Sequence, residues 1–225
     1  MSEHQVKWSH SSLKDYEGCA RRYHEVKVLK KYPFQQTDAT RYGVQVHEVI
    51  EHYIKDGTPI PPQYAQFQPV VDAMLRKTDS GRVLAEYEMA LTKDLRVCKW
   101  DAPTVWVRGI ADILIVDDDN LTAWVGDWKT GGNRYPDRDQ LVLMSIMTFA
   151  HFPHIRKVNS ALLFIVKDDM VKMQMQRDQA DAAWWKYRER IARLESSFGN
   201  NVWNPTQTPL CKWCQVTGCE FNPKH

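Results

Sequence analysis

The chain has 225 residues, 43% of them hydrophobic and 26% charged, with a formal net charge of +2. That length holds one large domain or two small ones, and the balance is that of a soluble globular protein, not a disordered or fibrous one. The charge is too small to mark a nucleic-acid binder unless basic residues are segregated into a groove; the lack of a leading apolar segment argues against a signal peptide or membrane span and for the cytoplasm, where disulfides are rare.

Ser9 or Ser11 can cap a first helix that places Leu13, Tyr16 and Ala20 on one face and carries Cys19 through Tyr23. Residues 25–29 continue from it after a break, and 33–40 read as loop. Residues 41–54 form a second helix with an apolar stripe of Val46, Ile50, Tyr53 and Ile54. Gly43 and His47, four apart, share one of its faces. Asp56, Gly57 and the prolines up to Pro62 break the pattern, and a third helix follows over 66–77.

From Arg82 the period changes from helical to alternating. Residues 82–91 read as a strand with Glu86 and Glu88 on one face, and 97–100 as a segment that can pair with it. Strands over 104–116 and 121–129 flank the polar turn Asp117 to Asn120, the pattern of a hairpin. A helix over 137–152 contains Gln140. Strands over 158–166 and 170–176 and a long amphipathic helix over 179–198 complete the pattern. Trp184 and Trp185 on that helix read as core packing, and Cys98 as a buried strand residue. The remainder, 201–225, is rich in proline and cysteine. This order suggests one α/β domain around a central mixed sheet flanked by helices: a helical layer over 1–80, a core over 81–200 and a cysteine-rich tail.

The chemistry concentrates on the hairpin. Pairing its strands brings Asp112 and Asp127 together, and two close carboxylates resist joint ionisation unless a cation lies between them. Hard oxygen ligands of this kind suit Mg2+ or Mn2+. Asp127 and Lys129, two apart on a strand, point to one face, so an ammonium stands beside the cation. Surface salt bridges at strand ends are the plain alternative. Of five cysteines, Cys211, Cys214 and Cys219 crowd into the last fifteen residues, as metal ligands do.

In this order the motifs resemble the RecB-like nucleases of the PD-(D/E)XK superfamily, especially their iron–sulfur members among CRISPR-associated and phage exonucleases. Ser12 through Tyr23 is similar to the N-terminal motif, with Ala20 where proline is common. Gly43 with His47, Gly109 with Asp112, Asp127-Trp128-Lys129, and Gln140 follow in turn; Met144 stands where a tyrosine is usual. The resemblance covers residues 9–219 and implies a restriction-endonuclease-like core.

It further implies that His47, Asp112, Asp127 and the carbonyl of Trp128 hold the cation, that Lys129 assists the attacking water, and that Gln140 supports the site. Glu86 is a candidate outer carboxylate, or else a solvated strand residue. Cys19 with Cys211, Cys214 and Cys219 would hold a [4Fe–4S] cluster; Zn2+, bound by these thiolates or by the last three with His225, is the alternative. Arg21, Arg22, Tyr23, Arg41, Arg134 and Arg138 flank the motifs and are candidate DNA contacts. The expected activity is a metal-dependent deoxyribonuclease, an exonuclease on single strands or DNA ends in phage or prokaryotic recombination, repair or CRISPR-related processing, with protein partners open. A DNA-binding or assembly module without catalysis is the rival reading.

Overall fold

The computed structural model describes residues 6–33 and 36–224. The chain divides into two compact units, residues 1–35 with 185–225, and residues 36–184.

The first unit contains a two-residue strand β1 (Trp8–Ser9), helices α1 (His10–Gly18) and α2 (Ala20–Tyr23), a π-helical turn over His24–Val28, and a 3-10 turn over Pro209–Trp213. It also holds most of α6 (Ala180–Asn200). Ser9 caps α1, in a capping box with Ser12. Tyr16 donates its hydroxyl to Arg193 O on α6, and Arg190 grips Glu17 through two bonds of 2.7 Å. Rings of Tyr16, Tyr23, Phe198 and Trp203 meet edge-on or tilted and form the unit's aromatic core.

The second unit begins with α3 (Asp38–Asp56) and α4 (Gln68–Leu75). Helix α3 starts inside the stretch expected to be loop, because Thr37 caps it and Thr40 reciprocates. Its first turn is solvent-exposed and carries no apolar periodicity. It ends on Gly57, whose φ of +68° is the left-handed conformation that glycine adopts freely. Strands β2 (Arg82–Leu91), β3 (Val107–Asp117), β4 (Thr122–Trp128), β5 (Lys157–Phe164) and β6 (Asp169–Gln176) follow, with α5 (Arg138–His151) between β4 and β5. Neighbours pair in that order. All pairs are antiparallel except β4 with β5, the pair that α5 joins. This is the mixed sheet flanked by helices that the sequence suggested.

Alternation along the strands builds two cores. Ile113, Ile115, Ala161 and Leu163 pack with Val46 and Ile50 of α3 and Val71 and Met74 of α4. Leu162 and Phe164, one residue out of phase, pack with Leu141 of α5. At Gly126 a β-carbon would stand 2.8 Å from Ile113 Cγ2 and 3.0 Å from Leu163 Cδ1, so only glycine fits there. Two expectations change. The segment 97–100 contributes a single bridge, Leu91 to Val97, and Cys98 is half-buried just past it, outside any strand. Trp184 is buried as expected, but Trp185 is 65% exposed, because adjacent residues of α6 are turned about 100° from one another. Among the described residues no helix is long and apolar enough to cross a membrane.

Candidate active site

The hairpin of β3 and β4 positions the acidic pair. Its register ends with Ile113 opposite Gly126, and Asp112 and Asp127 stand at the next position of each strand. Both are nearly buried, 7% and 6% exposed. Trp128 N–H donates to Asp112 Oδ2 at 2.6 Å, which fixes that carboxylate against β4. Lys129 N–H donates to Leu163 O of β5, and its ammonium lies 2.6 Å from Asp127 Oδ2. Gln140, in the first turn of α5, donates to Asp127 Oδ1. Both oxygens of Asp127 are therefore engaged by side chains of this chain. Burial and the charge of Asp112 push Asp127 up to about 6, against the pull of Lys129.

Helix α3 brings His47 to this corner. Its Nε2–H donates to the carbonyl of Trp128 at 2.9 Å, and Nδ1 lies 3.5 Å from Asp112 Oδ2 and 3.9 Å from Glu86 Oε1. A β-carbon on Gly43, one turn earlier, would stand 3.1 Å from Thr130 Oγ1, so glycine there lets the helix approach the segment after Lys129. Thr130 is a site neighbour that sequence reasoning did not single out. Burial alone would lower the His47 pKa, but the hydrogen bond and charge of Asp112, with Asp127 and the Trp128 carbonyl, raise it to about 9.

Glu86 enters from β2, between the pairs Ala85–Ile113 and Tyr87–Ala111 that bracket Asp112. Its φ is +50° in mid-strand, a left-handed conformation that costs a non-glycine residue about 1–3 kcal/mol and persists where the surroundings hold it. Glu88 is exposed and takes no part. Burial, then the charge of Asp112, push Glu86 up to about 7. Ligand atoms of His47, Glu86 and Asp112 all lie within 4.8 Å of one another. Two carboxylates and an imidazole so placed suit a divalent cation, and the raised pKa of Glu86 reflects the burial and carboxylate repulsion that a cation would relieve. An open cleft of about 680 Å³ leads to His47 and Glu86 past Thr40, Gly43, Thr130 and Gly131.

The remaining candidates are divided between the two units. Cys19, Cys211, Cys214 and Cys219 are unbridged and line one small cavity of the first unit. Cys19 Sγ accepts from the N–H groups of Arg22 (3.5 Å) and Thr206 (3.4 Å), and Cys211 Sγ from Thr208 N–H (3.3 Å). His225 lies outside the described residues. Arg21 donates to Gly218 O, and Arg22 stands 4.0 Å from Asp15. Tyr23 is 5% exposed within the aromatic core, so it has no ring face to offer a base, contrary to the sequence expectation. Arg41 pairs with Asp38 on α3. Arg138 opens α5, and Arg134 sits in the loop before it.

Comparison with known proteins bears on this geometry. No curated protein matches the sequence significantly. A protein from Eubacterium rectale named provisionally as an exonuclease has a similar fold, with a TM-score of 0.54 over 95% of this chain and 90% of that one at 13% identity. The structure of SSO0001 overlaps more loosely, with a TM-score of 0.40 over 97% of this chain and 87% of that one at 14% identity. The profile of the PD-(D/E)XK nuclease superfamily matches residues 7–219, which takes in the acidic pair, the lysine and the mixed sheet beneath them, and the chain belongs to that superfamily of nucleases.

Proposed function

We propose that the chain is a metal-dependent deoxyribonuclease that hydrolyses phosphodiester bonds, as an exonuclease on single-stranded DNA or DNA ends in phage or prokaryotic recombination, repair or CRISPR-related processing. The observation that carries this reading is the convergence of His47, Glu86 and Asp112 within 4.8 Å beside the Asp127–Lys129 pair. The motif order and the name of the Eubacterium rectale neighbour support the exonuclease assignment.

His47, Asp112 and Glu86 would hold Mg2+ or Mn2+, with Asp127 alongside. A cation there supplies Lewis acidity at the phosphate and lowers the pKa of a water. Trp128 N–H fixes one Asp112 oxygen. The Trp128 carbonyl, bonded to His47, orients the imidazole so that Nδ1 faces the carboxylates. Lys129 places a positive charge where negative charge develops on the phosphate, and Gln140 holds Asp127 in line with it. The four cysteines fit a structural [4Fe–4S] cluster: four thiols face one cavity, and backbone N–H groups already point at two of the sulfurs.

Charge is divided between the units in a way that suits DNA. Residues 1–35 and 185–225 carry 13 Lys and Arg against 7 Asp and Glu, whereas 36–184 carry 17 against 21. Residues 36–184 hold the catalytic candidates, and Arg21 and Arg22 of the basic unit are candidate phosphate contacts that would act without regard to sequence. Arg41, Arg134 and Arg138 are the candidate contacts beside the site.

The test is degradation of end-labelled single- and double-stranded DNA with and without Mn2+. Asp112→Ala and Lys129→Ala should abolish it while leaving the circular dichroism spectrum unchanged. Full activity in both variants refutes the assignment, and binding without metal-dependent cleavage by the wild type favours a non-catalytic module.

A further inference from the structure

The loop from Thr130 to Asp137 starts and ends at the active site. Lys129, just before it, and Gln140, just after it, both reach Asp127. Its first residues, Thr130 and Gly131, wall the cleft that leads to His47 and Glu86. Asn133 donates to Asp169 Oδ2 at 2.6 Å, which anchors the middle of the loop to the start of β6. Asp137 caps α5 and fixes the far end. Between these anchors stands Tyr135, 81% exposed, the highest value among the large exposed hydrophobic residues described. It is six residues from Lys129 and five from Gln140, so extended chain keeps it within about 20 Å of both. Arg134 holds its guanidinium 5.3 Å from the ring centroid.

An aromatic ring left in water is unfavourable unless something covers it. The Arg134 guanidinium lies over the ring and adds positive charge to a loop whose first residues wall the cleft. A ring paired with a cation, on the loop that joins Lys129 to Gln140, matches the chemistry of an unpaired nucleotide: a base to stack and a phosphate to neutralise.

We propose that Tyr135 stacks on an unpaired base of the substrate near the scissile phosphate, with Arg134 bound to the adjoining phosphate. This rests on the nuclease reading above and adds a substrate-positioning residue and a preference for unpaired strand to it. The loop then sets the register of the strand over Asp112 and Lys129, and a duplex must unpair at its end before it can engage.

An abasic scan tests the proposal. Single-stranded oligonucleotides, each with one abasic nucleotide moved stepwise from the cleaved end, are digested with Mn2+ by the wild type, Tyr135→Ala and Tyr135→Phe. For the wild type, one abasic position should lower kcat/KM about 10-fold, the scale of one lost base stack. Tyr135→Ala should show a similar loss on intact DNA, through KM, and no further loss at that abasic position; Tyr135→Phe should behave as the wild type. Equal abasic sensitivity in the wild type and Tyr135→Ala, or intact KM in Tyr135→Ala, overturns the stacking role while leaving the nuclease reading standing. A wild type that cleaves no DNA overturns both. Tyr135 is surface-exposed, so folding of the variants is expected and is checked by thermal melting.

Discussion

Metal binding at this site should be a competition with protons, and its size follows from the geometry. His47 Nδ1 faces Asp112 and Glu86 at 3.5 and 3.9 Å, so a proton on that nitrogen competes for the place a cation would take. Its pKa of about 9 means that at pH 7 the imidazole is neutral in about 1% of molecules. A cation must therefore displace one proton, and apparent affinity at pH 7 should fall about 100-fold below its value above pH 9, and about 10-fold at pH 8. The sign is fixed: the bound form carries fewer protons, so affinity rises with pH. Below pH 7 Glu86, pushed to about 7, takes up a second proton, and the dependence should steepen from one proton towards two. Mn2+ titrations followed by electron paramagnetic resonance from pH 6 to 9.5 give the affinities. Calorimetry in two buffers of different ionisation enthalpy counts the protons. His47→Asn should bind more weakly and lose most of the slope above pH 7. An affinity that is flat between pH 7 and 9, or a slope that survives His47→Asn, refutes the assignment of His47 as the proton-competing ligand.

Gly126→Ala should destabilise the second unit by about 1–3 kcal/mol, because the added methyl meets Ile113 and Leu163 at 2.8 and 3.0 Å in a closed core. Urea unfolding measures it, and an unchanged midpoint shows that the strands give way without strain. Protein purified without oxygen should be brown and absorb broadly near ~400 nm if the four cysteines hold iron and sulfide. Cys211→Ser should bleach that band, and a colourless wild type with one bound zinc refutes the cluster.

The fold was legible where burial leaves a period. Strands β3 to β6 and helices α5 and α6 lie within a few residues of their expected bounds; β3, β4 and β5 are buried along nearly their whole length, so their apolar runs are almost continuous. The start of α3 was not legible. Its first turn is exposed, and its capping box closes through two threonines where a threonine and a glutamate are the conspicuous signal. Trp185 misled for a related reason: two adjacent tryptophans on a helix lie about 100° apart, so only one can face a given core.

The site was legible in its residues but not in its groupings. Strand pairing places Asp112 beside Asp127, which predicts a shared cation between them. In the structure the side chains whose ligand atoms lie together also come from three elements, His47 of α3, Glu86 of β2 and Asp112 of β3. Asp127 has Lys129 at one oxygen and Gln140 at the other. Nothing in the spacing of an Asp, a Lys and a distant Gln reveals that division. Glu86 was ambiguous for a sharper reason: alternation along β2 sets it on a face with Glu88, and only its left-handed φ separates the two. A period of two describes regular strand and is blind to a single residue that leaves it. The backbone departure at Glu86 is what directs a carboxylate towards Asp112 and His47, so the residue that sequence left undecided is the one whose local strain the site has a use for.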